Sequence, residues 1–257
     1  MTPATRTILI ATVAAFFLQF TLRGIENAFI FYPGDVLTHP WTMVTYMFFH
    51  AGVTHILFNM LGLYFFGPRV EARLGTRRFT ILYFLSGVSG ALLSLVLSPA
   101  PIIGASAGVF GVMLAFAYFW PHELIYIYGV IPVPARLLVI ITTVLSLWSG
   151  FSGGGGIAHF AHLGGYAGAF LYLVWIQRAE RRARGAFRRQ VAKGAPRVPA
   201  GTDFRSIDRS SIHEVNRAEV DRILDKISAQ GVDSLTPEER IFLSNFVPMD
   251  DRKPPVS

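Results

Sequence analysis

Apolar residues in this chain gather into six blocks separated by short polar links. They run over about residues 7–22, 53–67, 79–97, 102–120, 135–148 and 157–177. Each block reads as a helix, and a bilayer crossing needs about 20 residues. The first, second and fifth blocks are short by that measure. Tilt, local thinning or flanking residues such as Phe48 and Phe49 make up the difference. The first block also has the look of a signal-peptide core. However, no small-x-small cleavage site follows it, and Phe29, Ile30, Phe31 and Tyr32 are again apolar. Beyond Gln177 the pattern changes. Val220, Ile223, Leu224 and Ile227 have the spacing of one helical face, and Gly231 is a stop signal. Thr236-Pro237-Glu238-Glu239 has the form of a capping box ahead of Ile241, Phe242 and Leu243. The expected division is a six-span core over 1–177 and a basic linker with a small helical tail over 178–257.

Composition supports a membrane reading. Of 257 residues, 52% are apolar and 15% charged, against about 25% charged in soluble domains. Between Val36 and Ala179 the only acids are Glu71 and Glu123. The net charge of +7 raises nucleic-acid binding, but the basic residues cluster at the ends of apolar blocks, which speaks for membrane orientation and for no nucleic-acid partner. Arg69, Arg73, Arg77 and Arg78 lie between blocks two and three, and Arg178, Arg181, Arg182, Arg184, Arg188 and Arg189 follow block six. The links at 98–101 and 149–156 carry no basic residue. The positive-inside rule then puts both termini in the cytoplasm. Absence of cysteine excludes disulfides, thiol catalysis and thiolate metal sites.

Two outer connections are unusual. Residues 24–50 are long and rich in aromatics (Phe29, Phe31, Tyr32, Trp41, Tyr46, Phe48), which predicts a segment lying in the membrane interface. The link 149–156 contains four consecutive glycines, Gly153 to Gly156, and reads either as a mobile lid or as a plain flexible linker.

Polar residues within the spans are costly and so are candidates for function. Ser106 lies in Gly104-Ala105-Ser106-Ala107-Gly108, where small neighbours admit a substrate backbone or, equally, a packed helix. His162 stands near the start of block six in AHLGGYAG; imidazole suits proton transfer near neutral pH, although a hydrogen-bonded structural histidine is also consistent. His55 and Asn59, at i and i+4, share one face of block two. Two donors on one face suit a developing oxyanion, or lock two helices together. The topology puts all four near the outer ends of their spans. Ser106 and His162 each fall four or five residues in, about 6–8 Å of helix. Independent packing residues have no reason to share that depth. With no acid in this layer, a serine–histidine dyad is the natural form.

Taken together these stretches resemble the rhomboid family of intramembrane serine proteases. The matching segments are HAGVTHILFN with His50, His55 and Asn59, GPRVEARLG from Gly67 to Gly75, GASAGVFG from Gly104 to Gly111, and AHLGGYAGA from Ala161 to Ala169. The family's usual last glycine stands here as Ala169, so slightly looser packing with an intact site is expected. The resemblance implies an all-α membrane fold, a six-transmembrane-helix bundle with a small helical cytoplasmic tail. It implies Ser106 as nucleophile and His162 as base, with His55, Asn59 and the Ser106 N–H holding the oxyanion. His50, Gly104, Gly108 and Gly165 are structural residues near the site. No metal or cofactor is implied. The substrates that the resemblance implies are single-span or other transmembrane proteins within the lipid bilayer, and the location expected is a plasma (inner) membrane of a bacterium. Span five, with Leu137, Leu138, Leu147 and Trp148, is the candidate moving wall for sideways substrate entry.

Rival readings remain. His159, three residues before His162, is a competing base. His50, His55, His159 and His162 together suggest a zinc site, without the HExxH arrangement. A catalytically inactive rhomboid-like protein that binds membrane clients is the main alternative, although such proteins lose the serine or the histidine. A transporter is a third possibility, supported by neither internal repeats nor intramembrane charge.

Overall fold

A computed structural model describes the backbone of residues 1–98, 100–127, 129–152, 158–194, 204, 207, 212 and 214–246. The chain divides into two compact units, Met1–Arg178 and Ala179–Ser257.

The first unit is helical. Its elements are α1 (Pro3–Thr21), α2 (Thr42–Thr45), α3 (Val53–Leu74), α4 (Thr76–Leu97), α5 (Ser106–Phe119), a hairpin of β1 (Leu124–Ile127) and β2 (Ile131–Pro134), α6 (Ala135–Phe151) and the first part of α7 (His159–Gly194). Helices α1 and α3 to α7 each coincide with one predicted block. By length and apolarity α1 and α4 qualify individually as membrane spans. The segment Thr42–Phe48 with α3 qualifies only as a pair bent by 96°. Helices α5 and α6 are apolar but have 14 and 17 residues.

Several boundaries move from their predicted places, each for a local reason. Helix α3 does not stop at Gly67. Pro68 removes one backbone donor, yet the helix runs on to Leu74. It ends at Gly75, whose φ of 82° is open to glycine and whose N–H reaches the Glu71 carbonyl at 2.8 Å. Helix α4 begins at the next residue, so one glycine makes the whole turn. Helix α5 starts at Ser106 instead of residue 102. Ile102 is drawn into a two-bond bridge with Phe31, and Gly104 has φ 115°, which breaks any helix there. The hairpin lies in a stretch for which apolar periodicity suggested no element.

The 24–50 connection is a chain of short turns over Ile25–Ala28 and Pro33–Asp35, then α2, then Tyr46–Phe48. Phe31, Tyr46 and Met47 are buried, whereas Leu37 is 93% exposed, as suits a segment with one wet or lipid-facing side. The glycine run Gly153 to Gly156 lies outside the described residues.

Helix α5 is the centre of the unit, buried at nearly every position from Ala107 to Ala117. Its neighbours come close because glycines face it. A Cβ on Gly108 would press on Tyr83 and Met47, and one on Gly111 would overlap Ser86 of α4. From α7, Gly164 abuts the Ser89 carbonyl and Gly165 the Ala107 carbonyl. These contacts bring α4, α5 and α7 within backbone distance.

The second unit contains α8 (Glu214–Gln230) and α9 (Pro237–Ser244). Val220 and Ile223 pack with Leu235 and Leu243, together with Phe204, Ile207 and Ile212. The capping box forms as its sequence suggests: the Thr236 hydroxyl accepts from the Glu239 N–H, and Glu239 accepts from the Thr236 N–H at 2.9 Å.

Candidate active site

The site is built around the start of α5. The Gly104 N–H donates to the Tyr46 carbonyl at 2.9 Å, and the next N–H, Ala105, donates to His50 Nε2 at 3.2 Å. Two consecutive amides thus fasten the serine-bearing turn to the segment before α3. His50 is itself held, for its N–H donates to Gln19 Oε1 at 2.9 Å while Gln19 Nε2 donates to its carbonyl at 3.0 Å. Gly104 has a second duty beyond its backbone angle. The His55 ring lies against it, and a Cβ there would stand 2.5 Å from His55 Cε1.

Ser106 is therefore the first residue of α5, not one turn inside it. That position matters chemically. The first N–H groups of a helix have no partner within it and lie at the positive end of its dipole. The hydroxyl, partly exposed, sits beside these donors.

His162 is the fourth residue of α7. Its Nε2 lies 2.8 Å from Ser106 Oγ, a hydrogen bond across 56 residues of sequence. The imidazole is stacked on Phe110, with centroids 4.1 Å apart and planes 20° from parallel. Phe110 in turn meets Tyr166, one turn beyond His162. The Tyr166 hydroxyl shares a 2.7 Å hydrogen bond with Thr142 Oγ1 of α6.

His55 and Asn59 lie on α3 as the i, i+4 spacing requires, but Asn59 is already engaged. Its buried Nδ2 donates to the His55 carbonyl at 2.9 Å, leaving its second N–H for other use. The His55 ring sits edge-on to His50, 5.0 Å between centroids. His159 is edge-on to His162 at 6.2 Å, and it is His162 that bonds Ser106. Among the described residues no group of three or more histidines and acids is arranged to hold a metal ion.

Two of the first unit's four acids, Glu71 and Glu123, lie elsewhere; Glu26 and Asp35 belong to the 24–50 connection. Glu71 accepts from the Ala4 and Thr5 N–H groups and from the Thr5 and Thr76 hydroxyls at 2.8–2.9 Å. Glu123 pairs with Arg69 at 2.9 Å. Both are at the α3 C-terminal end, away from Ser106. The arrangement is a hydroxyl in contact with an imidazole, next to a helix N-terminus. Such a group can pass a proton from serine to histidine and accept charge on a bound carbonyl oxygen.

Sequence reasoning missed Phe110, Gln19 and the Thr142–Tyr166 pair. Phe110 had a legible signal: it is four residues after Ser106, on the same helical face. Gln19 had one too, as a polar side chain inside an apolar block.

Residues 37–179 match the sequence profile of the Rhomboid domain, and residues 212–246 match a family of unknown function, DUF6576. The chain is 32% identical over 131 residues to rhomboid protease GluP of Bacillus subtilis (strain 168), covering 51% of this chain and 25% of that protein. It is 37% identical over 134 residues to RHOMBOID-like protein 1 of Arabidopsis thaliana, covering 51% and 33%. It is 32% identical over 148 residues to putative rhomboid protease YdcA of Bacillus subtilis (strain 168), covering 55% and 70%. The chain thus spans a quarter to a third of the length of the first two.

Proposed function

The chain belongs to the rhomboid family, and from that membership we propose that it is an active serine endopeptidase that hydrolyses peptide bonds in or near transmembrane helices of other membrane proteins. The family makes it an integral membrane protein. The observation that carries catalysis is the 2.8 Å contact between Ser106 Oγ and His162 Nε2.

In the proposed reaction the Ser106 hydroxyl donates to an unprotonated Nε2 and attacks the scissile carbonyl carbon as His162 takes the proton. The carbonyl oxygen becomes an oxyanion, held by the Ser106 N–H, by His55 and by the free N–H of Asn59. His162 returns the proton to the leaving amine. Water then enters, loses a proton to His162 and adds to the acyl carbon; as the bond to Ser106 Oγ breaks, His162 passes that proton to Oγ and the acyl group leaves as a carboxylic acid. Glu71 and Glu123 are held elsewhere, and in this reading a dyad serves without a carboxylate member.

We read α1 and α3 to α7 as six crossings. The short helices α5 and α6 span by local thinning, because a helix of 14 residues is only about 21 Å long at 1.5 Å per residue. The arginine-rich end, with Arg69, Arg73, Arg77 and Arg78, faces the cytoplasm. Residues 1–177 form the protease core, and 178–257 form a separate cytoplasmic tail. Two of the relatives are bacterial, which supports a bacterial plasma membrane, while another is from a plant.

Purified protein in detergent, mixed with a generic single-span substrate, tests this reading. Cleavage by the wild type and none by Ser106→Ala is the expected result. A well-folded wild type that binds such substrates and leaves them intact overturns it in favour of a client-binding role.

A further inference from the structure

The hairpin between α5 and α6 has no role in the chemistry, and its surface is unusual. Its strands pair Leu124 with Pro134, Ile125 with Val133, Tyr126 with Pro132 and Ile127 with Ile131. Ile125 turns inward and packs on the core. The other surface, with Leu124, Tyr126, Pro132 and Pro134, is apolar and open: Leu124 is 49% exposed and Tyr126 58%, and Val130, in the turn, is 76% exposed. A two-stranded hairpin is marginal in water without something to pack against, and a contiguous exposed apolar surface marks a contact.

The foot of the hairpin says which contact. Glu123, just before β1, is paired with Arg69. The Arg69 guanidinium lies over Trp120 at 4.6 Å and over Phe116 at 5.2 Å, and Arg73 lies over Phe119 at 5.5 Å. Arg136, exposed at the first turn of α6, gives its N–H to the Pro121 carbonyl at 3.1 Å and helps close the base. The foot therefore combines arginines with aromatic rings, as groups at a headgroup layer do. It lies at the C-terminal ends of α3 and α5, opposite the ends that carry His55 and Ser106.

We propose that the hairpin is a lipid anchor, seated in the interface of the leaflet opposite the active site. Leu124, Tyr126 and Val130 enter the acyl-chain boundary, and Arg69, Arg73 and Arg136 meet lipid phosphates. The depth is bounded on both sides. Outer edges of a two-stranded hairpin carry backbone N–H and C=O groups without ladder partners, which the hydrocarbon centre does not tolerate. Its apolar face equally disfavours bulk water. Four residues per strand at about 3.3 Å each give a length of about 13 Å, enough to lie along the interface and prop the α5–α6 junction against the bilayer. The inference rests on the chain being membrane-embedded, and its test separates the two.

The chain has no cysteine, so single cysteines accept a nitroxide label at one place only. Full-length Val130→Cys and Tyr126→Cys, labelled and placed in vesicles of phosphatidylcholine and phosphatidylglycerol, are compared by power saturation with oxygen and with a water-soluble nickel chelate. Ile140→Cys on the exposed face of α6 is the lipid reference, and Asp233→Cys in the tail the aqueous one. The expected oxygen-to-nickel ratio at both hairpin positions is several-fold above Asp233→Cys and below Ile140→Cys. Hairpin labels as nickel-accessible as Asp233→Cys, with Ile140→Cys still lipid-exposed, overturn the anchor and leave the membrane reading intact. Labels shielded from both reagents, or broadened by spin coupling between copies, overturn it in favour of protein cover. Should Tyr126→Cys fold poorly, Val130→Cys alone decides.

Discussion

The His162 imidazole lies nearly flat on the Phe110 ring, 4.1 Å between centroids, while its Nε2 bonds the hydroxyl of Ser106 one helical turn earlier. One face of α5 thus supplies both the partner for the ring edge and the platform for its plane. An imidazole with both restrained is biased toward the serine. Offset aromatic stacking contributes about 0.5–1.5 kcal/mol. Phe110→Ala is therefore expected to lower kcat by up to about tenfold, with Phe110→Tyr nearly neutral. Turnover per folded molecule checks this, and an unchanged kcat in Phe110→Ala would show that the stack does not position the base.

Ser106→Ala is expected to abolish cleavage without unfolding the protein, since a methyl group fits where the methylene and hydroxyl were. His162→Ala should be as severe, and His159→Ala mild, because only His162 bonds the serine. Initial rates of the three variants, with circular dichroism to follow folding, distinguish the bases. Reversed phenotypes for the two histidines would reassign the general base.

Asn59 carries two expectations at once. Its amide is bonded to the His55 carbonyl, so Asn59→Ala should lower melting temperature modestly. If its remaining N–H also serves the oxyanion, kcat should fall on the order of tenfold while KM changes little, less than the 10²–10³ for a lone donor because two others share the charge. Normal turnover per folded molecule would reduce Asn59 to a helix-locking residue.

Glu71 is expected to be critical for stability and irrelevant to chemistry. Its carboxylate caps the first turn of α1 through the Ala4 and Thr5 amides, and bonds two threonine hydroxyls. Each hydrogen bond to a charged group is worth about 1.5–3 kcal/mol, so Glu71→Ala should cost at least about 3 kcal/mol. Thermal unfolding in micelles measures it, with Glu71→Gln expected between alanine and wild type. An unchanged melting curve for Glu71→Ala would contradict the capping role.

In the tail, the Glu239 carboxyl is held down at about 2, first by its bond from Lys226, then by the Thr236 N–H. A carboxyl with a depressed folded value stabilises the fold above its ordinary value near 4.5, and that gain disappears as pH falls toward 2. Hydrogen exchange across α8 and α9 should therefore be faster in Glu239→Gln than in wild type at pH 7. The two should converge in acid. A difference that persisted unchanged at pH 2 would assign the effect to something other than charge.

Much of this is legible in the sequence. Six apolar blocks correspond to six helices, and the motif residues Ser106 and His162 come into contact, because span-level hydropathy and small-residue patterns are read from composition alone. The register was not legible. Ser106 moved to a helix terminus because Gly104 and the Phe31–Ile102 bridge intervene, and a bridge between residues so far apart leaves no periodic trace. Glu71 read as a bare acid in an apolar region; its meaning depends on the amides of α1, some 66 residues away. The hairpin was hidden because Leu124-Ile125-Tyr126-Ile127 is apolar throughout, and a short apolar run does not distinguish strand from helix.

The separation of 56 residues between Ser106 and His162 also orders events during synthesis. The proposed nucleophile leaves the ribosome early, on α5, but its base belongs to α7, and α7 docks only when Gly164 and Gly165 meet the backbones of α4 and α5. Until that last core helix has been inserted and packed, the serine has no partner to take its proton. On the proposed mechanism the nascent chain is therefore inert until α7 is in place. The proposed proteolytic competence arrives with the same contacts that bring α4, α5 and α7 together.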